Sequence, residues 1–279
     1  MILENTIKQA SQLLKNKNII SHELDAQVIL SDIMGVTRDF FITNSHIKVS
    51  KNTIKKFNYA IRRRIKREPV AYIIGKKEFW SQDFVVNQTT LVPRPETELL
   101  IYKVIDFFKN KRINILDIGT GSGCILLSIL KELVHSRGIG IDISTRAIKT
   151  AQINSKNLNL FHQSKFKVFD ISKFNVGKYD LIVSNPPYIP TKDIKNLSED
   201  IINYEPLVAL NGGLDGLDLI KKVIYKANSL LKKNGLLVIE IGSNQYLKVS
   251  SLLRQRGLRE MSRQCDYSHN VRCIISTKV

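Results

Sequence analysis

Two short runs hold the residue types from which a reaction site can be built. In Asp117-Ile118-Gly119-Thr120-Gly121-Ser122-Gly123, alternating glycines stand where an apolar segment ends and a second apolar segment of helical length begins. Glycine permits a tight turn and lets a ligand approach the backbone closely, so the run reads as a cradle for a nucleoside-bearing cofactor. Asp142 ends the next apolar segment, close to the ~20 residues at which an acid binds both ribose hydroxyls. A dinucleotide fingerprint, G-x-G-x-x-G, does not fit, because Cys124 occupies the place of its third glycine.

The second run is Asn185-Pro186-Pro187-Tyr188, directly after the apolar stretch Tyr179 to Ser184. Two prolines fix φ and lack N–H groups, which stiffens the turn and leaves carbonyls free to point into a pocket. The Asn185 side-chain carbonyl adds another acceptor. Together they can grip the two hydrogens of a planar NH2 group while Tyr188 packs on its face. The target is an sp2 nitrogen, either a carboxamide or a nucleobase exocyclic amine. Its lone pair is delocalised, so acceptors that strengthen as positive charge grows on nitrogen lower the barrier, and no strong base is needed before attack. The loop with Glu205-Pro206, Gly212-Gly213 and Asp215-Gly216 is either a plain connection or a cover over this site.

The elements that must position these runs follow from periodicity. Residues 2–74 repeat at helical spacing, with Ser21 and Ser50 as expected N-caps and Gly35 as a stop, ending in the basic run Arg62 to Arg67. That run reads as a nucleic-acid or ribosome-facing patch or as a solvated last turn. Between Glu78 and Pro93 the residues favour strands and are broken by Gln88 to Thr90, which predicts a hairpin turning there. Pro95, with Glu96 and Glu98 in the first turn, opens a helix. From Asn110 onward strands and helix-length segments alternate, and the last two strands are separated only by Cys265 to Asn270. The expected fold is α/β, a doubly wound and mostly parallel sheet closed by an antiparallel hairpin and preceded by a small helical bundle. Its domains are residues 1–75, a hairpin linker over 76–93, and 94–279.

The chain has 279 residues, 43% of them apolar, ample for a packed core. Lys and Arg number 43 against 25 Asp and Glu; the resulting +18 favours an anionic contact such as nucleic acid or an acidic protein face, and compositional drift gives the same excess. Three cysteines without a CxxC pair make a poor disulfide framework. No stretch has the ~20 apolar residues of a membrane span, and the start resembles no signal or transit peptide, so the expected location is cytoplasmic. The five histidines show no ligand spacing, and no metal is expected.

The D-x-G-x-G-x-G form of the first run resembles the first motif of S-adenosylmethionine-dependent methyltransferases. The resemblance implies that Asp117 and the loop Gly119, Thr120, Gly121, Ser122 and Gly123 surround the methionine part. Asp142 would take the ribose, and Asp170 and Ile171 would stand by the adenine. Over nearly its whole length the chain further resembles the HemK/PrmC-type protein-(glutamine-N5) methyltransferases of class I peptide chain release factors. The shared residues include Glu23 to Ala26, Pro69-Val70-Ala71-Tyr72, Glu78-Phe79-Trp80, Pro93-Arg94-Pro95-Glu96-Thr97-Glu98 and Tyr204-Glu205-Pro206. The discriminating stretch is Arg94 to Glu98, which by itself is only a well-capped helix start. The resemblance implies a seven-stranded Rossmann-like sheet, S-adenosylmethionine as donor with S-adenosylhomocysteine as product, and a role in translation termination. The substrate would be the glutamine of the factor's Gly-Gly-Gln loop. Asn185, which also borders the cofactor, and the Pro186 backbone would hold its amide, with Pro187 shaping the turn and Tyr188 packing on the group. The helical domain would dock the factor, and the enzyme would be a monomer with no stable nucleic-acid partner and no membrane. The alternative from the residues alone is an RNA or DNA amino-methyltransferase, for which the base must leave its stack. Ile171 departs from relatives that carry an aromatic beside the adenine.

Overall fold

Leu3, Ala10 and Leu14, then Ala26, Ile29 and Leu30, then Phe57, Ala60 and Ile61, recur at helical spacing, and each set is buried along one face of a helix. The computed structural model, which describes residues 1–278, places them in α1 (Leu3–Lys15), α2 (His22–Met34) and α4 (Lys51–Ile65), with the short α3 (Phe40–Thr43) and α5 (Val70–Ile74) beside them. Gly35 ends α2 in the left-handed region at φ 66°, and Ser50 caps α4 by accepting from the Thr53 N–H at 3.1 Å. Ser21 does not cap α2. Its hydroxyl donates to the Asp25 carboxylate at 2.9 Å instead.

A two-stranded hairpin follows, β1 (Lys76–Phe79) and β2 (Gln82–Val85). It turns at Trp80-Ser81, not at Gln88 to Thr90: both residues are left-handed, at φ 50° and 54°, as a two-residue hairpin loop requires. The usual Asn-Gly signal is missing there, and the Trp80 N–H is held by the Glu98 carboxylate at 2.8 Å. The Gln88 to Thr90 stretch instead folds around Asn87, whose side chain accepts from the Thr89 N–H at 2.9 Å.

The remaining elements in chain order are α6 (Glu98–Phe108), β3 (Asn114–Ile118), α7 (Cys124–Glu132), β4 (Arg137–Asp142), α8 (Thr145–Asn157), β5 (Ser164–Val168) and β6 (Tyr179–Ser184). Then come α9 (Glu199–Tyr204), α10 (Asp218–Leu230), β7 (Leu231–Glu240), α11 (Tyr246–Gln255), β8 (Leu258–Cys265) and β9 (Val271–Lys278). The seven strands from β3 to β9 form one sheet in the order β5-β4-β3-β6-β7-β9-β8, parallel as far as β7 and antiparallel for the last two pairs. Helices cover both faces, which is why the strands read as nearly continuous apolar runs. Ile115, Val183 and Val238 point into one core layer; Leu116, Ile182 and Leu237 point into the other. No helix among the described residues is long and apolar enough to cross a membrane.

By their contacts the residues group into two units, Met1–Lys76 with Ser198–Tyr204, and Lys77–Leu197 with the chain from Glu205 onward. The helical unit corrects the reading of the basic run. Arg64 is 6% exposed and binds Asp25 at 2.7 Å, Asp200 at 2.6 Å and the Glu68 carbonyl at 3.1 Å. Arg63 forks onto the Glu68 carboxylate at 2.6 and 2.8 Å. Two of these cations therefore work inside the unit, which neither a surface patch nor a solvated turn describes. Arg64→Ala leaves the buried Asp25 carboxylate without its cation, and the expected cost is about 3–5 kcal/mol, read by urea unfolding of the full chain. Arg64→Lys recovers part of this at most, since an ammonium lacks the planar fork that serves several acceptors at once.

Candidate active site

The sheet register brings the two chemical runs together. Ile118 pairs with Ser184 on one side and with Ile141 on the other, and Ser184 pairs with Ile239. The residues that follow, Gly119, Asn185, Asp142 and Glu240, therefore emerge along one edge, at the carboxyl ends of adjacent strands. Strand order reverses between β3 and β6, the switch point at which open α/β sheets bind ligands.

A cavity of about 240 Å3 opens there. Gly119 through Ser122, Asp142, Asp170, Ile171, Asn185 and Pro187 line it, whereas Asp117, Gly123, Pro186 and Tyr188 do not. Gly121 has φ 54°, and a Cβ there would meet nothing within 4 Å, so conformation rather than crowding selects the glycine. At Gly123, φ 81° combines with Ala151, Leu127 and Phe166 atoms 3.2 Å from a Cβ, which closes the loop against α8 and β5.

Asp142 is held by two backbone donors, the Gly121 N–H at 3.0 Å and the Ser144 N–H at 2.9 Å, one on each oxygen. Burial raises its pKa, and these donors oppose the rise. Each oxygen keeps a lone pair for a ligand hydroxyl. Asp117 is fully buried; one oxygen accepts from the Thr120 hydroxyl at 2.6 Å and the other has no partner among the described residues. Burial, helped by the Asp142 charge and opposed by the Thr120 hydroxyl, pushes its carboxyl up to about 7. Asp117 thus backs the cradle through Thr120. A glycine cradle and a pre-oriented carboxylate suit a ligand with vicinal hydroxyls.

At the far end of the cavity Asp170 is exposed and accepts from the Ser172 N–H at 2.8 Å, which lowers its pKa, while Ile171 is buried. Several lining residues lie outside the site expected on sequence, Phe169 and Ile143 among them. Phe169 packs edge-to-face on Phe174 at 5.3 Å and Ile143 follows Asp142; both are apolar, partly exposed parts of the cavity wall, a surface suited to a planar group. Phe169, two residues before Ile171, puts an aromatic ring in the cavity wall. Its signal in the sequence is an aromatic just before the acid that closes the strand.

The acceptor loop is braced from below. The Asn185 amide donates to the Thr97 hydroxyl at 3.1 Å, and the Thr97 hydroxyl donates to Glu240 at 2.7 Å. The Tyr188 hydroxyl faces the other Glu240 oxygen at 3.4 Å, and its carbonyl accepts from Gln245 at 2.9 Å. Burial pushes Glu240 up to about 7 against the pull of its two hydroxyl donors, and burial also raises the Tyr188 phenol. The loop expected as a connection or a cover places Pro206, Val208 and Ala209 in the cavity wall. It is anchored where Glu205 accepts from Arg94 at 2.6 Å and from the Val92 N–H at 3.3 Å. The stretch Arg94 to Glu98 is therefore more than a helix start: Arg94, Thr97 and Glu98 each tie a different part of the site's frame.

The chain's likenesses bear on both halves. The PrmC N-terminal domain matches residues 5–75 and a methyltransferase domain matches 109–278. The release factor glutamine methyltransferase of Caulobacter vibrioides is 37% identical over 271 residues, spanning 96% of this chain and 94% of that protein. That of Clostridium acetobutylicum is 34% identical, spanning 100% of this chain and 99% of that protein. Among solved structures, a methyltransferase from Pyrococcus furiosus superposes with a TM-score of 0.53 at 15% identity, over 82% of this chain and 99% of that one. The ribosomal protein L11 methylase of Lactobacillus delbrueckii subsp. bulgaricus gives 0.50 at 20% identity, over 67% and 81%. These two share the fold. Identity at the level of the curated relatives, sustained through the helical part and the sheet alike, means that the chain belongs to the release factor glutamine methyltransferase family.

Proposed function

We propose that the protein methylates the side-chain amide nitrogen of the glutamine in the Gly-Gly-Gln loop of class I peptide chain release factors, with S-adenosylmethionine as donor. The observation that carries this reading is Asn185, whose amide NH2 is committed to Thr97 while its residue lines the cavity beside the glycine loop, leaving its carbonyl oxygen as an acceptor. When bound, S-adenosylmethionine supplies an electrophilic methyl group on a sulfonium. The protein's part is to hold both partners. Asp142 takes the ribose hydroxyls, Phe169, Ile143 and Ile171 flank the adenine, and the Gly119 to Gly123 loop follows the methionine part.

Asn185 Oδ1 and the Pro186 carbonyl accept the two amide hydrogens of the substrate, which orients nitrogen toward the methyl carbon. As the nitrogen–methyl bond forms and the sulfur–methyl bond breaks, releasing S-adenosylhomocysteine, positive charge develops on that nitrogen and both acceptors strengthen; the excess proton passes to water only after the bond has formed. The enzyme acts as a monomer, its helical unit docks the factor, and no stable nucleic acid takes part. The test is transfer of labelled methyl to purified release factor, to its Gln→Glu variant in the Gly-Gly-Gln loop, and to bulk RNA. Label on the native factor alone is expected; label on RNA alone would replace the carboxamide with a nucleobase amine.

A further inference from the structure

An amide side chain presents two nearly isosteric ends, a carbonyl that accepts and an NH2 that donates. Only one end serves here, given the reading of Asn185 above on which this inference rests. With its NH2 toward the cavity, Asn185 would set donors against the donors of a substrate NH2. Something must fix which end faces inward, and Asn185 itself has no means to do so.

The hydrogen-bond directions behind it supply the means. Glu240 ends β7 with 3% exposure and Thr97, at the edge of the cavity, lies in the turn before α6 with 2%, so little water reaches either to compete for their hydrogen bonds. In its ionised form the Glu240 carboxylate accepts only, and it accepts from the Thr97 hydroxyl at 2.7 Å. Having spent its one proton, Thr97 Oγ1 can offer only lone pairs to Asn185, and it meets Nδ2 at 3.1 Å. The other Glu240 oxygen faces the Tyr188 hydroxyl at 3.4 Å, so the same carboxylate braces both functional residues of the acceptor loop. We infer that Thr97 and Glu240 are positioning residues: through a one-way chain of hydrogen bonds they hold the Asn185 carbonyl toward the substrate amide, and thereby select an NH2-bearing substrate.

Thr97→Val keeps the shape and removes the hydroxyl. Its kcat on release factor is expected to fall about tenfold to thirtyfold, the value of one orienting hydrogen bond, with the cofactor Kd from calorimetry within about threefold of wild type. Thr97→Ser restores the hydroxyl and is expected to recover most of the loss, which a merely space-filling role for Thr97 would not produce. Glu240→Gln, whose NH2 can donate to Thr97 and free the hydroxyl proton for Asn185, is expected to lower kcat comparably without changing the cofactor Kd. Asn185→Ala is measured beside them. Wild-type kcat in Thr97→Val, or a Thr97→Ser variant as slow as Thr97→Val with cofactor binding intact, overturns the chain. Should Thr97→Val fail to bind cofactor, the Ser and Gln variants decide in the same way. Activity retained by Asn185→Ala would instead remove the role given to Asn185, a separate failure.

Discussion

Asn185→Ala lowers methyl transfer to release factor by about 10²–10³-fold at saturating cofactor, the loss typical when one pre-oriented group facing developing charge is removed. Cofactor affinity is expected to change little, because the residues proposed for its ribose and base belong to other strand ends: Asp142 after β4, Phe169 to Ile171 after β5. The effect should lie in kcat rather than in KM for the factor. Docking a whole protein uses many contacts remote from the amide, whereas the Asn185 acceptor gains strength only as the nitrogen becomes positive. Single-turnover transfer with preloaded cofactor separates the two quantities. A variant with unchanged single-turnover rate would mean that the Pro186 carbonyl suffices and that Asn185 only shapes the loop. Asn185→Asp is a sharper companion. It preserves an acceptor toward the substrate but sets a carboxylate against Thr97, whose hydroxyl already donates to Glu240, so it is expected to recover little.

What is legible in the sequence and what is not divides along physical lines. Strands buried on both faces announce themselves as apolar runs, and glycines at positive φ mark where they end, so the cradle, Asp142 and the Asn185 loop fall on the elements expected of them. The Trp80-Ser81 turn is not legible because neither residue favours left-handed φ; Glu98, in a different element, holds the Trp80 N–H. Arg64 reads as one more surface cation because its two acids come from elsewhere, and Asp200 lies 136 residues away. Thr97 and Glu240 are 143 residues apart. Their meeting depends on α6 packing against β7, and Asn185 reaches them because β7 lies beside β6 in the register that pairs Ser184 with Ile239, properties of the assembled fold and of no local pattern. Local preference writes the elements; the polar contacts that tune a site are written by which edges the sheet aligns.

Asp142→Ala is expected to weaken cofactor binding at least about 100-fold while leaving the turnover of whatever complex forms comparatively intact. Each oxygen of this carboxylate already accepts one backbone N–H, from Ser144 and from Gly121, so its plane is set before a ligand arrives. Two ribose hydroxyls then find charge-assisted acceptors with no reorganisation to undergo. Hydrogen bonds to a charged group contribute about 1.5–3 kcal/mol each, and a pair of them exceeds two orders of magnitude in Kd. Burial has raised the Asp142 pKa, so the carboxylate is costly to keep charged in the empty site and gains from donors that replace water. The substitution also releases the Gly121 N–H, so part of the loss could come from a slackened glycine loop. A cofactor analogue without the two ribose hydroxyls tells these apart. If Asp142 acts on the ribose, wild type should bind that analogue as weakly as Asp142→Ala binds the natural cofactor, and the variant should lose little further on switching to it. If the variant instead suffers a second, equal loss with the analogue, the two effects are independent, and Asp142 serves the loop rather than the ligand.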